Sequence, residues 1–193
     1  MPNLTATIDT SVLVSLQSAD LLGAVSVLFN RLLVPAKVRE ELKKGGERNR
    51  DALKAIEDFA IFEHCNDYDL ASVQLLLQTR THLKRGKDEG EAEAVIQAAE
   101  RPTKMVLTDD PLGRAWAQRY TRDCHGTIWI CYQLRHTGFL TELRPYYIRM
   151  LQRGRRQPLL GMNKYLQELG EPLISQEQYR SYAVRHDKPR RML

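Results

Sequence analysis

Five acidic positions stand where a folded chain could gather them into one reactive site: Asp9, Glu41, Glu91 and the adjacent pair Asp109 and Asp110. Asp9 follows the alternating run Leu4 to Ile8, and Asp109 follows Met105, Val106, Leu107 and Thr108. Both runs read as short strands, so both carboxylates fall at strand ends. In a parallel sheet, ligand sites collect beyond the carboxyl ends of the strands. Carboxylates that converge there repel one another unless a divalent cation stands between them, and hard cations take oxygen ligands. Such an ion can deprotonate a water for in-line attack, and a second ion ~3.5–4 Å away steadies the leaving oxygen. No Ser-His-Asp relay is needed.

The segment after Asp88 adds a third acidic element. Asp88, Glu89, Glu91 and Glu93 crowd the first turn of a strong helix, where the helix dipole favours negative charge on stability grounds alone. Glu91, however, lies at the three- and four-residue spacings of Ala94, Val95 and Ala98, the face that buries. A carboxylate on a packing face costs free energy unless it is paired or holds a metal. Glu93 projects elsewhere, as a solvated residue or a supporting group. Glu40 and Glu41, on the helix after Pro35, lie about 100° apart around its axis. Val38 and Leu42 mark the apolar stripe, and Glu41 at its edge is taken to face the sheet. Each group keeps a structural alternative: Asp9 as a helix cap, the glutamates as ordinary amphipathic surface.

Positioning these groups requires strands and helices in alternation. Strands are expected at residues 4–9, 32–34, 61–62 and 105–107. Helices are expected at 11–17, 19–29, 35–44, 50–59, 70–77, 90–99, 112–120 and 128–134, the last capped by Thr127. Residues 80–88 read as a charged loop, and a short link joins residue 120 to Gly126. That rhythm calls for an α/β fold, a parallel sheet covered by helices on both faces. Beyond Gly138 the chain turns helix-rich, with helices expected at 143–151, 163–169 and 176–184. A boundary near Gly154 divides residues 1–153 from a basic helical extension, 154–193.

A chain of 193 residues with 42% apolar content is long enough for one well-buried core. Its longest apolar run, near residues 21–33, is broken by Ser26, Asn30 and Arg31 and falls short of the ~20 residues of a membrane span. No export signal is legible, and Cys65, Cys124 and Cys131 form no disulfide framework, so a cytoplasmic protein with reduced thiols is expected. The net charge of +5 sits in the tail: residues 151–193 hold nine Lys/Arg and four Asp/Glu, and the rest is balanced. Arg153, Arg155 and Arg156, with Lys188, Arg190 and Arg191, suit a phosphate backbone or form a solvated basic end.

Five segments, in order and spacing, resemble the PIN-domain family over roughly residues 4–138. They are Ile8-Asp9-Thr10-Ser11-Val12-Leu13, Val34-Pro35-Ala36-Lys37-Val38-Arg39-Glu40-Glu41-Leu42, Gly90-Glu91-Ala92-Glu93-Ala94-Val95, Leu107-Thr108-Asp109-Asp110 with Arg114 and Ala115, and Gly126-Thr127. The likeness is strongest to a branch carrying a GEAEA motif, which is similar to the toxin nucleases of VapBC toxin–antitoxin pairs. It implies a PIN-like three-layer α/β/α sandwich that hydrolyses RNA phosphodiesters, leaving 5′-phosphate and 3′-hydroxyl ends. It also implies Mg²⁺ or Mn²⁺ held by Asp9, Glu41, Glu91 and one or both of Asp109 and Asp110, with Thr10 or Ser11 and Thr127 orienting ligands or water. An antitoxin that inserts a segment into the acidic groove, and homodimers, are expected on the same ground. Lys84, Arg85, Arg114 and His125 are further candidates to touch RNA. Small toxins of the family more often carry Asp where Glu91 stands, and the extension exceeds the family's usual length.

Other readings use some of the same residues. Asp9-Thr10 after a strand also resembles haloacid-dehalogenase phosphatases, but their aspartate two residues later is Ser11 here. An RNA-processing nuclease needs the same acids, and a silent module that binds nucleic acid or protein would not need all of them. His64-Cys65 and Cys124-His125 lack the two-to-four-residue ligand spacing of structural zinc. Trp116 and Trp129 read as packing residues.

Overall fold

The computed structural model describes residues 4–79, 88–102, 104–121 and 123–183. Its strands and first helices are β1 (Leu4–Ile8), α1 (Thr10–Ser18), β2 (Phe29–Val34), α2 (Ala36–Lys44), α3 (Glu47–Asp58), β3 (Phe62–His64) and α4 (Leu70–Gln78). There follow α5 (Glu89–Ala99), β4 (Met105–Leu107), α6 (Pro111–Tyr120), β5 (Asp123–His125), α7 (Thr127–His136), α8 (Arg144–Gln152), α9 (Leu159–Glu168) and α10 (Gln176–Tyr182). The strands make one five-stranded sheet in the order β3-β2-β1-β4-β5, with every neighbouring pair parallel. The expected α/β class with a central parallel sheet flanked by helices is what the chain adopts.

The strand order reverses at β1, which has β2 on one side and β4 on the other. Such a reversal opens a crevice at the carboxyl ends of the two diverging strands. Here the ends are level: Ile8 pairs with Leu107, and the Asp9 N–H donates to the Leu107 carbonyl at 2.9 Å. Alternation along β4 separates two apolar layers. Met105 and Leu107 join Ala6, Ile8, Leu13, Leu16, Ile130 and Leu134, while Val106 joins Val95, Ala98, Trp116 and Ala117. The first layer continues through Tyr147, Met150, Leu151, Met162, Leu166 and Ile174, so the chain on either side of Gly154 shares one core.

Several expected elements differ in detail. The helix expected at 19–29 is absent: α1 stops at Ser18, Asp20 turns the chain with φ 59°, a short 3-10 turn covers Gly23–Val27, and β2 begins at Phe29. Apolar residues in a buried turn carry the same spacing as a helix face, and exposed Asn30 and Arg31 disguise the start of β2. The linking segment before Gly126 is β5, a three-residue edge strand of Asp, Cys and His with no apolar alternation to reveal it. Thr127 is not the cap of α7; Gly126 holds that position and Thr127 is the first helical residue. Helix α9 opens at Leu159, directly after Pro158, rather than at residue 163. Among the described residues no helix is long and apolar enough to cross a membrane.

Leu107 is fully buried and sits where β4 aligns the site-bearing loop against β1. Leu107→Ala should therefore lower the unfolding free energy by roughly 2–5 kcal/mol, as measured by chemical denaturation; a loss below about 1 kcal/mol would show that this layer does not hold the strand end.

Candidate active site

Asp9 leaves β1 at the start of α1 but does not cap that helix with its side chain. Its carboxylate is fully buried and accepts on Oδ2 from the Ser11 hydroxyl (2.6 Å) and the Thr108 hydroxyl (3.0 Å). Each hydroxyl is itself fixed from behind: Ser11 Oγ accepts the Asp109 N–H (3.0 Å), and Thr108 Oγ1 accepts the Asp110 N–H (3.1 Å). A hydroxyl has one proton, and both protons are directed at Asp9 Oδ2. Asp9 Oδ1 is buried with no hydrogen-bond partner.

The adjacent pair after β4 divides into two environments. Asp110 caps α6, its Oδ1 accepting from the N–H groups of Leu112 (2.7 Å) and Gly113 (3.1 Å) ahead of Pro111 at the first helical turn. Asp109 is held more fully, Oδ1 accepting from the Thr127 N–H (2.8 Å) and Oδ2 from the Thr127 hydroxyl (2.6 Å) and the Gln157 amide (2.7 Å). Arg114 Nη2 stands 3.9 Å from Asp109 Oδ1. Gly126 keeps this approach open, because a Cβ there would collide with Arg114 and Asp109 and stand 3.2 Å from the Thr108 carbonyl.

The two glutamates arrive from helices. Glu41 on α2 accepts from the Thr10 hydroxyl at 2.6 Å and lies against Gly90, where a Cβ would come within 2.7 Å of Glu41 Oε1. Its neighbour Glu40 is exposed and pairs with Lys37 and Lys44 at 3.2 and 3.3 Å. Glu91 is partly buried near Gly113, and its Oε2 has no partner. Burial raises its pKa first, then the charges of Asp9, Glu41 and Asp110, and together they push it up to about 8. Burial also raises Asp9, against the opposing hydrogen bonds from Ser11 and Thr108, and raises Glu41, on which Asp9 acts as well. The electrostatic neighbours of Glu91 are therefore Asp9, Glu41 and Asp110.

Glu93 is not solvated. It is buried in a helix that packs nearly all round, and its Oε2 accepts the Lys37 N–H at 2.8 Å, fixing the first turn of α2 that carries Glu41. Thr10, Ser11 and Thr127 each hold a carboxylate, while Thr108 and Gln157 do so without having been singled out in the sequence. The outlying basic candidates are dispersed. Arg153 bonds to Ser18 O and Asp20, and Arg155 turns inward to Ser15 and Ser11. Arg156 is exposed, whereas Lys84, Arg85, Lys188, Arg190 and Arg191 lie outside the described residues. His125 stacks on Trp129 at 3.9 Å and bonds to Asp123, and Trp116 is buried with its indole N–H on Thr79.

Among the described residues no three Asp, Glu, His or Cys side chains stand close enough to hold an ion as placed. The donor set nevertheless suits a hard divalent cation: all-oxygen, mutually repelling, with buried Asp9 Oδ1 and Glu91 Oε2 unsatisfied. The family model DUF3368, a PIN domain, matches residues 5–171. No curated protein and no solved structure matches the chain.

A glutamate with its ordinary pKa of 4.5 ionises in the unfolded chain well before Glu91 does in the fold, at about 8. The metal-free fold thus retains a proton the unfolded chain has lost, and stability falls as pH rises through that interval. Glu91→Gln, neutral throughout, should match wild type in Tm near pH 5 and exceed it by roughly 2–4 °C near pH 8.5, by scanning fluorimetry in chelator. The same difference at both pH values would contradict charge repulsion at Glu91.

Proposed function

This chain belongs to the PIN-domain family, whose members are usually nucleases that use divalent metal ions, and on that premise we propose that it is an endoribonuclease dependent on Mg²⁺ or Mn²⁺. The observation that carries the reading is a pair of unsatisfied carboxylate oxygens, Asp9 Oδ1 and Glu91 Oε2, with Glu41 and Asp110 close enough for their charges to act on Glu91. A bound divalent ion would neutralise these groups and generate hydroxide from water for in-line attack on a phosphodiester. Asp9, Glu41 and Glu91 would hold it, with Asp110 beside them. Ser11 and Thr108 aim Asp9, Thr10 aims Glu41, and Glu93 fixes the helix on which Glu41 rides. Asp109, surrounded by donors from Thr127 and Gln157, acts as the anchor that joins β4 to α7. In this reading residues 1–153 carry the catalytic groups, and Arg155, Gln157 and Tyr179 from the following extension brace them.

RNA as substrate, and the role of toxin in a toxin–antitoxin pair, rest on the GEAEA branch resemblance around Glu91 and Glu93. A cytoplasmic location, an antitoxin segment entering the acidic groove and a homodimer belong to the same reading. Partly exposed Arg114, beside Asp109, would meet a phosphate backbone near the acidic groups, and exposed Arg156 is free to meet one from the extension. An RNA-processing role would use the same chemistry without an antitoxin. The dense bonding of Asp109 favours a silent binding module, but the unsatisfied Asp9 and Glu91 oxygens favour catalysis.

Purified protein should nick single-stranded RNA in Mg²⁺ or Mn²⁺ and stop in chelator, with Asp9→Asn folded by circular dichroism and slower by on the order of 10²-fold or more. Cleavage unaffected by chelator or by Asp9→Asn would overturn the assignment, and hydrolysis of small phosphomonoesters alone would move it to the phosphatases.

A further inference from the structure

Helix α8 ends at Arg153 in a left-handed Gly154 (φ 75°), with the Arg155 N–H returning to Met150 O (2.8 Å) and the Gly154 N–H to Leu151 O (2.9 Å). That pair of bonds is a Schellman cap, which glycine forms without Cβ strain. It turns residues 155–157 back against α1 before Pro158 opens α9. Arg155 Nε then meets Ser15 Oγ at 3.2 Å and Nη2 meets Ser11 O at 3.1 Å, the backbone carbonyl of the residue whose hydroxyl orients Asp9. Gln157 is 3% exposed, and its amide donates to Asp109 Oδ2 (2.7 Å) and Ser15 Oγ (3.4 Å). Its own carbonyl accepts from the Tyr179 hydroxyl on α10 at 3.0 Å. A continuous path thus runs from Tyr179 through Gln157 to Asp109, from the Asp109 N–H to Ser11, and from Ser11 to Asp9.

The geometry points to Arg155 and Gln157 as positioning residues of the acidic site, a strap by which the C-terminal extension sets the placement of Asp109, Ser11 and Asp9. The arginines at 153–156 thereby divide by role. Arg155 faces inward, and although burial draws its pKa down, Asp109 and Asp9 oppose that shift, so it stands as a counter-charge behind the carboxylates. Gln157 supplies what a charge would not: a neutral donor that ties down Asp109 Oδ2 and leaves the site's negative charge intact for a cation. A buried amide with its donor aimed at a carboxylate is costly to replace by an apolar group, because the acceptor is left unsatisfied. The strap rests on the nuclease reading for its catalytic consequence, but its effect on cation binding is separate.

The test compares wild type, Gln157→Leu and Gln157→Asn, the second keeping polarity while withdrawing the amide, should the first fail to fold. Two readouts are taken on folded protein: Mn²⁺ affinity without RNA, by electron paramagnetic resonance, and kcat and KM for single-stranded RNA in Mn²⁺. Supporting groups of this kind, when removed, typically weaken metal affinity or activity by ~10–100-fold. The strap predicts losses of about that size in Mn²⁺ affinity and kcat, with KM within about twofold. Variants that only melt earlier, or that change KM alone, with Mn²⁺ affinity at the wild-type value, overturn it. If wild type binds Mn²⁺ but cuts no RNA, the nuclease reading fails, and weakened Mn²⁺ binding in the variants still supports the strap.

Discussion

Like charges held together away from bulk water are the constraint around which this molecule is built. Asp9 is fully buried, and burial first, then the charges of Asp9, Glu41 and Asp110, lets Glu91 keep its proton to about pH 8. Such a cluster would spread apart if its members were free to move. They are not, because each carboxylate is fastened to a different rigid element and most are aimed by a dedicated donor. Ser11 and Thr108 hold Asp9, Thr10 holds Glu41, and the start of α6 holds Asp110. What remains unsatisfied, Asp9 Oδ1 and Glu91 Oε2, is the part of the cluster that calls for a cation.

The parallel sheet makes this convergence possible. Because the strand order turns at β1, the chain leaves β1 and β4 at one level and in divergent directions, placing Asp9 and the Thr108–Asp110 turn side by side. Helices α2 and α5 then deliver Glu41 and Glu91 over the same edge, their close approach allowed by Gly90 and locked by Glu93 on the α2 N-terminus. Behind the crevice, the segment between α8 and α9 reaches under α1 to Ser11, Ser15 and Asp109. The extension and the sheet are thus one mechanical unit at this point.

Much of this was legible because it rested on local pattern. Asp9 and Asp109 announce themselves by ending apolar runs, and the choice of Glu41 over Glu40 follows from one residue's rotation about a helix axis, with Glu40 left to Lys37 and Lys44 at the surface. Long-range pairing was not legible. Gln157 lies 48 residues from the aspartate it holds, and no spacing rule connects them. Arg155 carries the same charge as exposed Arg156, and only the Schellman turn separates inward from outward. For Glu93 the spacing left a solvated residue and a supporting group both open, because α5 packs on nearly every side and a helical wheel with one buried face did not apply. Strand β5 was hidden by its polar residues, and residues 19–29 by apolar spacing that a buried turn shares with a helix.

In the metal-free fold the carboxylates hold a proton which a bound divalent cation would displace. Titration calorimetry of metal-free protein with Mn²⁺ at pH 7, in buffers of different ionisation enthalpy, measures that exchange directly. With Glu91 titrating at about 8, binding should release close to one proton at pH 7 and progressively less as pH rises through that value. Mn²⁺ binding with no buffer dependence, or no binding at all by folded protein, would contradict it.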